Sequence, residues 1–219
     1  MTDFALARRN MIDGQLRPNR VTNTALLAAI GDLPRERFLP ENLRSVAYAD
    51  EDVPLGGGRY LMEPMVLARL IQTLQPQADD RALVIGAGRG YGAALLARLV
   101  KAVTAVESDP ALAAAGGQIA RELGLGAIEW LVGRLEHGAP GAAPFDVILV
   151  EGGVREIPQT ILDQLAEGGR LAATLAGAAG VMGVAQLFVK KGGVTSGRPL
   201  FETSAALLPG FVPAPSFTF

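Results

Sequence analysis

The stretch Arg81-Ala82-Leu83-Val84-Ile85-Gly86-Ala87-Gly88-Arg89-Gly90-Tyr91 decides the fold of this 219-residue chain. Its first five residues form a short, mostly apolar run that is typical of a buried strand. The three glycines that follow allow a tight turn, and Tyr91–Val100 carries the alanine and leucine face of a helix. The stretch therefore predicts a strand, a glycine turn and a helix in succession.

The same alternation continues toward the C-terminus. Further strands are predicted at Ala102–Val106, Ile128–Val132, Phe145–Val150 and Arg170–Ala176, and further helices at Pro110–Leu123 and Ile157–Ala166. Strands joined by helices predict right-handed crossovers and a parallel sheet that is covered on both faces. Val184–Lys191 and Glu202–Leu208 follow each other without a helix, so we expect an antiparallel C-terminal edge.

Residues 1–80 are predicted to form a helical N-terminal extension that prolines interrupt. Pro40 to Gly58 is expected to be loop-like, and a helix is expected to begin near Glu63-Pro64, with proline in its first turn, and to end before Pro76. Because no clear linker precedes residue 81, we expect a single α/β domain over residues 1–219, with the α/β core at residues 81–219.

The composition excludes several classes of protein. Hydrophobic residues make up 49% of the chain and charged residues 19%, which argues against disorder and coiled coils. The net charge is −2, so no nucleic-acid partner is expected. Cysteine is absent and there is one histidine, His137, which excludes disulfides, thiolate nucleophiles and Cys- or His-rich metal sites. The lack of cysteine also fits a reducing compartment, and we expect a cytoplasmic location and no metal.

One apolar stretch, residues 171–189, contains no charged residue and is nearly long enough to span a bilayer. It is, however, rich in glycine and alanine. We interpret it as two buried strands, Arg170–Ala176 and Val184–Lys191, joined by the turn Gly177-Ala178-Ala179-Gly180. The chain start, Met1-Thr2-Asp3-Phe4, lacks the basic region of a signal peptide. We therefore expect no membrane association.

The glycine turn and an acid after it suggest a nucleoside cofactor. Glu107 ends the second strand of the alternation, 21 residues beyond Gly86 (107 − 86), and a carboxylate there can accept both hydroxyls of a ribose. The alternative is that the glycines only permit a tight turn and that Glu107 faces water. The spacing Gly-x-Gly-x-Gly is tighter than the dinucleotide fingerprint and suits the amino-acid end of S-adenosylmethionine, which carries no pyrophosphate.

Several segments together resemble the protein-L-isoaspartate O-methyltransferases. In chain order they are Gln15–Pro18, Pro34–Glu41, Pro54–Pro64, Val84–Tyr91, Ala143–Ile148 and Glu156–Leu171. The resemblance covers about residues 11 to 176 in order and spacing. It implies a Rossmann-like S-adenosylmethionine-dependent methyltransferase fold. It also implies protein repair, by transfer of a methyl group to the free carboxylate of isoaspartyl residues in damaged proteins.

The resemblance also assigns candidate residues. Those expected at the cofactor are Gly86, Ala87, Gly88, Gly90, Tyr91, Glu107, Ser108, Arg134, Leu135 and Glu151, and those expected at the acceptor are Arg59, Met62 and Glu63. The expected partner is a protein or peptide with an isoaspartyl residue, or an unknown small-molecule acceptor, and the expected assembly is a monomer or weak homodimer. No general base is needed, because the acceptor carboxylate is already ionised at neutral pH.

The chain departs from the family pattern at the positions that carry polar contacts. Met62 stands where the family has an active-site serine, and Glu63 adds a negative charge that repels an anionic acceptor. Val84 replaces an acid, and Arg134 replaces the aspartate that meets the adenine amino group. Glu151 replaces a small polar residue.

Two interpretations of these departures stay open. In the first, backbone contacts and Glu107 hold the cofactor while Glu136 takes the role of the displaced aspartate. In the second, the chain is a paralogue that methylates a different acceptor, or a catalytically silent S-adenosylmethionine- or nucleoside-binding protein. Three other features lie outside this choice. His137 is interpreted as a surface-loop residue, and Trp130 as a core residue or a wall of the adenine pocket. The tail from Leu207 to Phe219 is expected to wrap around the domain, with aromatic anchors for a partner subunit as the alternative.

Overall fold

The computed structural model describes residues 3–177 and 181–211. The helices are α1 (Phe4–Met11), α2 (Thr24–Asp32), α3 (Pro64–Leu74), α4 (Tyr91–Ala97), α5 (Pro110–Glu122) and α6 (Gln159–Leu162). A π-helical turn, Ile12–Leu16, continues α1, and short 3-10 turns lie at Arg35–Phe38, Glu41–Val46, Leu135–His137 and Pro140–Ala142. The strands are β1 (Val53–Gly56), β2 (Arg59–Leu61), β3 (Arg81–Ile85), β4 (Ala102–Glu107), β5 (Ile128–Val132), β6 (Phe145–Val154), β7 (Leu165–Leu175), β8 (Gly183–Lys191) and β9 (Val194–Thr203).

Within the described residues, the main sheet has seven strands in the order β5-β4-β3-β6-β7-β8-β9. The strands from β5 to β7 are parallel, and β8 and β9 pair antiparallel at one edge. This confirms the mostly parallel α/β sheet with an antiparallel C-terminal edge. Helical crossovers make β3 and β4 parallel to their neighbours in the sheet. Because such helices cover the faces of the sheet, both strands are buried along almost their whole length.

Alternate residues of β3 enter two hydrophobic cores on opposite faces of the sheet. Ala82 and Val84 belong to the core that contains α3, α4, α5 and the helices before residue 64. Leu83 and Ile85 belong to the core that contains Ile161 of α6. This follows from the two-residue period of a strand, because successive side chains point to opposite faces. The N-terminal extension and the sheet are therefore packed through one shared core.

Several predicted elements have different bounds in the structure. The helix expected at Ile157–Ala166 is limited to Gln159–Leu162, because Leu165 instead pairs with Phe145 and begins β7. The strand expected at Glu202–Leu208 is instead Val194–Thr203, because Gly192 and Gly193, both with positive φ, turn the chain directly from β8 into β9. The helix expected at Tyr91–Val100 ends at Ala97.

The region expected to be a loop, Pro40 to Gly58, contains more structure than predicted. It includes the 3-10 turn Glu41–Val46, and β1 pairs antiparallel with β2 to form a small hairpin. The strands predicted at Arg170–Ala176 and Val184–Lys191 correspond to most of β7 and β8. Of the turn predicted between them, residues 178–180 lie outside the described residues.

In the portion of the chain that the structure describes, no helix combines the length and the apolar character needed to cross a bilayer. Over the same residues, no group of three or more His, Cys, Asp or Glu side chains is placed to hold a metal ion.

Candidate active site

The carboxyl ends of β3, β4 and β6 bring the glycine turn, Glu107 and Glu151 together. Gly86, Gly88 and Gly90 have φ angles of 77°, 56° and 91°, a region that residues with a side chain rarely adopt. The glycine turn after β3 is therefore present as the sequence predicts. Glu107, at the end of β4, lies directly beside it.

The Glu107 carboxylate is fully buried and already surrounded by donors of its own chain. Oε2 accepts from the Gly88 N–H at 2.7 Å and from Arg59 Nη2 at 3.1 Å. Oε1 accepts from the backbone N–H of Ser108 at 2.7 Å and of Asp109 at 3.1 Å, from Arg59 Nε at 3.3 Å and from Ser108 Oγ at 3.2 Å. Burial opposes ionisation, but Arg59 and the backbone donors together hold the pKa of Glu107 below its usual value.

Arg59 joins the small hairpin to the glycine turn. Its side chain, on β2, is also buried, and Nη2 donates to the Gly86 carbonyl at 2.6 Å in addition to the contacts with Glu107. The guanidinium therefore takes the position beside Glu107 in which the sequence interpretation placed a ribose. Glu107 is 0% exposed, so it does not face bulk water as the alternative interpretation required.

Side chains of the protein itself cover the rest of the glycine turn. A Cβ atom placed on Gly86 would lie 2.9 Å from Arg59 Nη2 and 3.0 Å from Leu208 Cδ2, and one on Gly88 would lie 2.9 Å from Leu55 Cδ1. A Cβ atom on Gly90 would lie 2.7 Å from the Trp130 ring. The turn needs glycine here because its own chain packs against it.

Two further residues, Glu151 and Trp130, pack against glycines in and near the turn. The Glu151 carboxyl, at the end of β6, lies against Gly92 in the first turn of α4. Trp130, on β5, is packed between Gly90 and Gly116 of α5, which supports its interpretation as a core residue.

A short segment, Ala205–Leu208, runs parallel to the end of β6, and we call it the C-terminal strap. The Gly153 N–H donates to the Ala206 carbonyl at 2.8 Å, and the Leu208 N–H donates to the Gly153 carbonyl at 2.8 Å. Leu208 is buried against Gly86 and Gly152, whereas Leu207 is exposed. The expected wrapping of the tail is thus present up to Phe211, which is buried, and residues 212–219 lie outside the described residues.

The acceptor side is equally closed. Met62 is buried, and its carbonyl accepts from Nη2 of the buried Arg35 at 2.7 Å. A cavity of about 10 Å³, room for about one water molecule, remains between the hairpin, β6 and the strap. It is lined by Asp52, Arg59, Tyr60, Met62, Glu151, Gly152, Ala205 and Ala206.

Two carboxyl groups near this cavity have strongly raised pKa values. Burial raises the pKa of Glu151 to about 8, and Glu107 adds to the shift while Arg59 and Arg35 oppose it. Burial and the charges of Asp50 and Asp52 raise the pKa of Glu63 to about 7. Glu151 is therefore mostly neutral at pH 7, which fits a carboxyl group without a full counter-charge.

Two of the predicted cofactor residues, Leu135 and Arg134, follow β5 and differ in burial. Leu135 is buried, but the Arg134 side chain is 73% exposed and pairs with Glu136, whose Oε1 lies 2.6 Å from Arg134 Nη2. The Glu136 carboxylate lies against Gly210 of the tail. His137 lies on a 3-10 turn in this region, and its carbonyl accepts from Gln164 Nε2 at 2.8 Å.

The fit of S-adenosylmethionine can be tested against these contacts. The carboxylate of Glu107 and the N–H groups of the turn have suitable chemistry for a nucleoside. In the described arrangement, however, both oxygens of Glu107 are taken, and Arg59, Leu55 and Leu208 fill the space over the turn. The residues do not fit the cofactor unless the hairpin and the strap move.

The sequence predicts Glu107, the glycine turn and Arg59 as site residues. It does not predict the pairing of Arg59 with Glu107 or the contacts that Leu55, Arg35 and Leu208 make at the site. Arg59 and Glu107 are 48 residues apart in the chain. The available signal was an arginine beside three glycines in a region without other basic residues, which does not identify its partner.

Comparisons with known proteins give a consistent result. A sequence profile of the family described as Protein-L-isoaspartate(D-aspartate) O-methyltransferase matches residues 7–203. Protein-L-isoaspartate O-methyltransferase 1 of Rhodopseudomonas palustris is 40% identical over 170 residues, which are 78% of this chain and 69% of that protein. The protein-L-isoaspartate O-methyltransferase of Methanoculleus marisnigri is 40% identical over 166 residues, which are 76% of each chain.

Two solved structures have a similar fold. A protein-L-isoaspartate O-methyltransferase superposes with a TM-score of 0.80 at 28% identity, covering 93% of this chain and 66% of that chain. A candidate protein-L-isoaspartate O-methyltransferase from Plasmodium falciparum, in complex with S-adenosyl-L-homocysteine, gives a TM-score of 0.77 at 19% identity. That alignment covers 95% of this chain and 99% of the other. This chain therefore spans about two thirds of the first structure and nearly all of the second.

Proposed function

The chain belongs to the protein-L-isoaspartate(D-aspartate) O-methyltransferase family, and we propose that it transfers a methyl group to the free carboxylate of isoaspartyl residues in damaged proteins. The family is S-adenosylmethionine-dependent, and that cofactor supplies the electrophilic methyl group. The observation that carries the proposal is the juxtaposition of the glycine turn, Glu107, Arg59 and Met62 at the carboxyl edge of the parallel sheet. Ligands of open α/β sheets bind at this edge.

The proposal assigns roles to the chain's own residues. The glycine turn, Tyr91, Ser108, Leu135 and Glu107 hold the cofactor after Arg59 and the strap have moved away. Arg59, once free of Glu107, supplies the positive charge that offsets Glu63 and receives the acceptor carboxylate. Because the acceptor oxygen is already ionised, catalysis rests on alignment and exclusion of water.

The test is methyl transfer from labelled S-adenosylmethionine to a peptide with one isoaspartyl residue. The matched control is the same peptide with a normal aspartyl residue at that position. We expect label in the isoaspartyl peptide alone. If no label is transferred, calorimetric titration with S-adenosylhomocysteine shows which part of the proposal is wrong. Binding without transfer contradicts the proposed acceptor, and no binding at millimolar ligand contradicts the proposed cofactor.

A second candidate function is methylation of a different acceptor. The specific observation that favours it is the lining of the cavity beside Met62, which includes the carboxyl groups of Asp52 and Glu151 and no serine. This lining suits an apolar or cationic group better than a carboxylate. If transfer to the isoaspartyl peptide is at background in the natural chain and Met62→Ser restores it, this second function replaces the first.

We extend the proposal to location and assembly. The protein is cytoplasmic, which the lack of cysteine supports. It has a single methyltransferase domain over residues 1–219, which the shared core of the N-terminal extension and the sheet supports. It is present as a monomer or weak homodimer. Light scattering at several concentrations tests the assembly. A tight oligomer at micromolar concentration contradicts that part.

A further inference from the structure

A second cavity, of about 210 Å³, lies away from the closed site. It is partly open to solvent and is bordered by the two 3-10 turns after α2, the glycine turn and α5, and its lining is Arg37, Arg44, Arg89, Ala115, Gln118, Ile119 and Glu122. Arg89 belongs to the glycine turn, but its side chain lines this cavity together with residues of α5.

The charges around this cavity are not balanced. Arg37 forms an ion pair with Glu122, whose carboxylate also accepts from Gln118 Nε2 at 2.9 Å. The lining contains no other acidic residue. In residues 3–177 and 181–211, neither Arg44 nor Arg89 pairs with a carboxylate, and the buried Nε atom of each has no hydrogen-bond partner there. Two positive charges therefore face the same space without a counter-charge.

This arrangement costs free energy in the absence of a ligand. A buried donor without a partner loses its hydrogen bond to water, and two guanidinium groups repel each other. Burial and the charge of Arg44 both lower the pKa of Arg89. An anion between the two guanidinium groups would remove both penalties, and the forked N–H groups of arginine match the oxygens of a phosphate.

We propose that this cavity binds a doubly charged phosphate group between Arg44 and Arg89, with the Arg37–Glu122 pair as one wall. Two free positive charges match a dianion. The cofactor of the family is not the occupant, because S-adenosylmethionine carries no phosphate. The phosphate group can be inorganic phosphate or belong to a phosphorylated side chain, and the site does not depend on the proposed methyl transfer.

The experiment titrates the full chain with sodium phosphate at constant ionic strength and measures affinity by calorimetry. We expect saturable binding that weakens at least tenfold in Arg44→Gln and in Arg89→Gln. The matched control is Arg98→Gln, which removes an exposed arginine just after α4 and should leave binding unchanged. Absence of binding, or an equal loss in Arg98→Gln, would overturn the proposal.

A second arm compares a phosphoserine peptide with its unphosphorylated form. Binding of the phosphopeptide at least tenfold tighter than phosphate assigns the source to a phosphorylated side chain, and equal affinities assign it to free phosphate.

A third measurement addresses folding of the variants. In phosphate-free buffer Arg44→Gln should raise the melting temperature, because it removes the repulsion with Arg89, and a lowered melting temperature would contradict the unbalanced charge on which the site rests.

Discussion

Arg59 and Glu107 form a buried ion pair over the glycine turn, with Nη2 and Oε2 3.1 Å apart and side chains that are 4% and 0% exposed. The same guanidinium donates to the Gly86 carbonyl, so one side chain connects the hairpin, the turn and the end of β4. The position that a cofactor ribose would need is thereby held by the protein.

The first prediction concerns the ion pair itself. Arg59→Ala leaves the Glu107 carboxylate buried with only its backbone and Ser108 donors, and we expect a loss of about 3 kcal/mol in the free energy of unfolding. Urea denaturation measures it. The control is Arg17→Ala, which breaks the exposed pair with Asp13 and should cost less than about 1 kcal/mol. Similar losses in the two variants would show that burial of the Arg59 pair has no energetic consequence.

The second prediction concerns the C-terminal strap. Leu208→Ala removes the side chain that covers Gly86, so it weakens the closed arrangement with which a ligand must compete. We expect the affinity for S-adenosylhomocysteine to rise about tenfold, equivalent to about 1.4 kcal/mol. The neighbouring Leu207, which is 41% exposed, provides the control, and Leu207→Ala should bind as the natural chain does. Unchanged affinity in Leu208→Ala would exclude the strap as a competitor.

The third prediction is a pH dependence of stability caused by Glu151. Its pKa is raised from 4.5 to about 8 by folding, so the folded state binds more protons than the unfolded state between these values. The contribution of the neutral Glu151 carboxyl to the free energy of unfolding is therefore fully present below pH 4.5. It is lost as the pH rises toward 8, at up to about 1.4 kcal/mol per pH unit.

Glu151→Gln cannot ionise and should remove this slope, which makes the variant more stable than the natural chain at pH 8. Urea denaturation from pH 5 to pH 9 is the measurement, with Glu41→Gln, at an exposed position, as the control. A slope that persists in Glu151→Gln would assign the titration to another group.

The fourth prediction uses two adjacent glycines of α5. A Cβ atom on Gly116 would collide with the Trp130 ring, whereas one on Gly117 meets nothing closer than Arg121 Nη1 at 3.6 Å. Gly117→Ala should therefore stabilise the protein by about 1 kcal/mol through helix propensity. Gly116→Ala should destabilise it by about 1–3 kcal/mol through overpacking.

Thermal unfolding of the two alanine variants gives the comparison. Trp130→Leu should remove most of the penalty of Gly116→Ala, because the ring is the group in the way. Effects of the same sign at both positions would mean that Trp130 does not pack on α5 as described.

The amino-acid sequence by itself determined the alternation of strands and helices from Arg81 onward, the parallel sheet and the family. These depend on local patterns: the apolar run before Gly86, the glycines that readily accept positive φ, and helices that separate successive strands. The 21-residue spacing from Gly86 to Glu107 was also enough to place the acid beside the turn. Leu165 shows the limit of such patterns, because its spacing from Ile161 suits a helix while its pairing with Phe145 makes it a strand residue.

Only the tertiary structure decided what the site contains. Arg59 reaches Glu107 because the β1–β2 hairpin folds over the sheet edge, and Leu208 reaches Gly86 because the strap pairs with Gly153. Such contacts join residues far apart in the chain, and the local period of a sequence carries no information about them. The same glycines can accommodate a ligand or a side chain, and the packing of the whole chain determines which of the two is present.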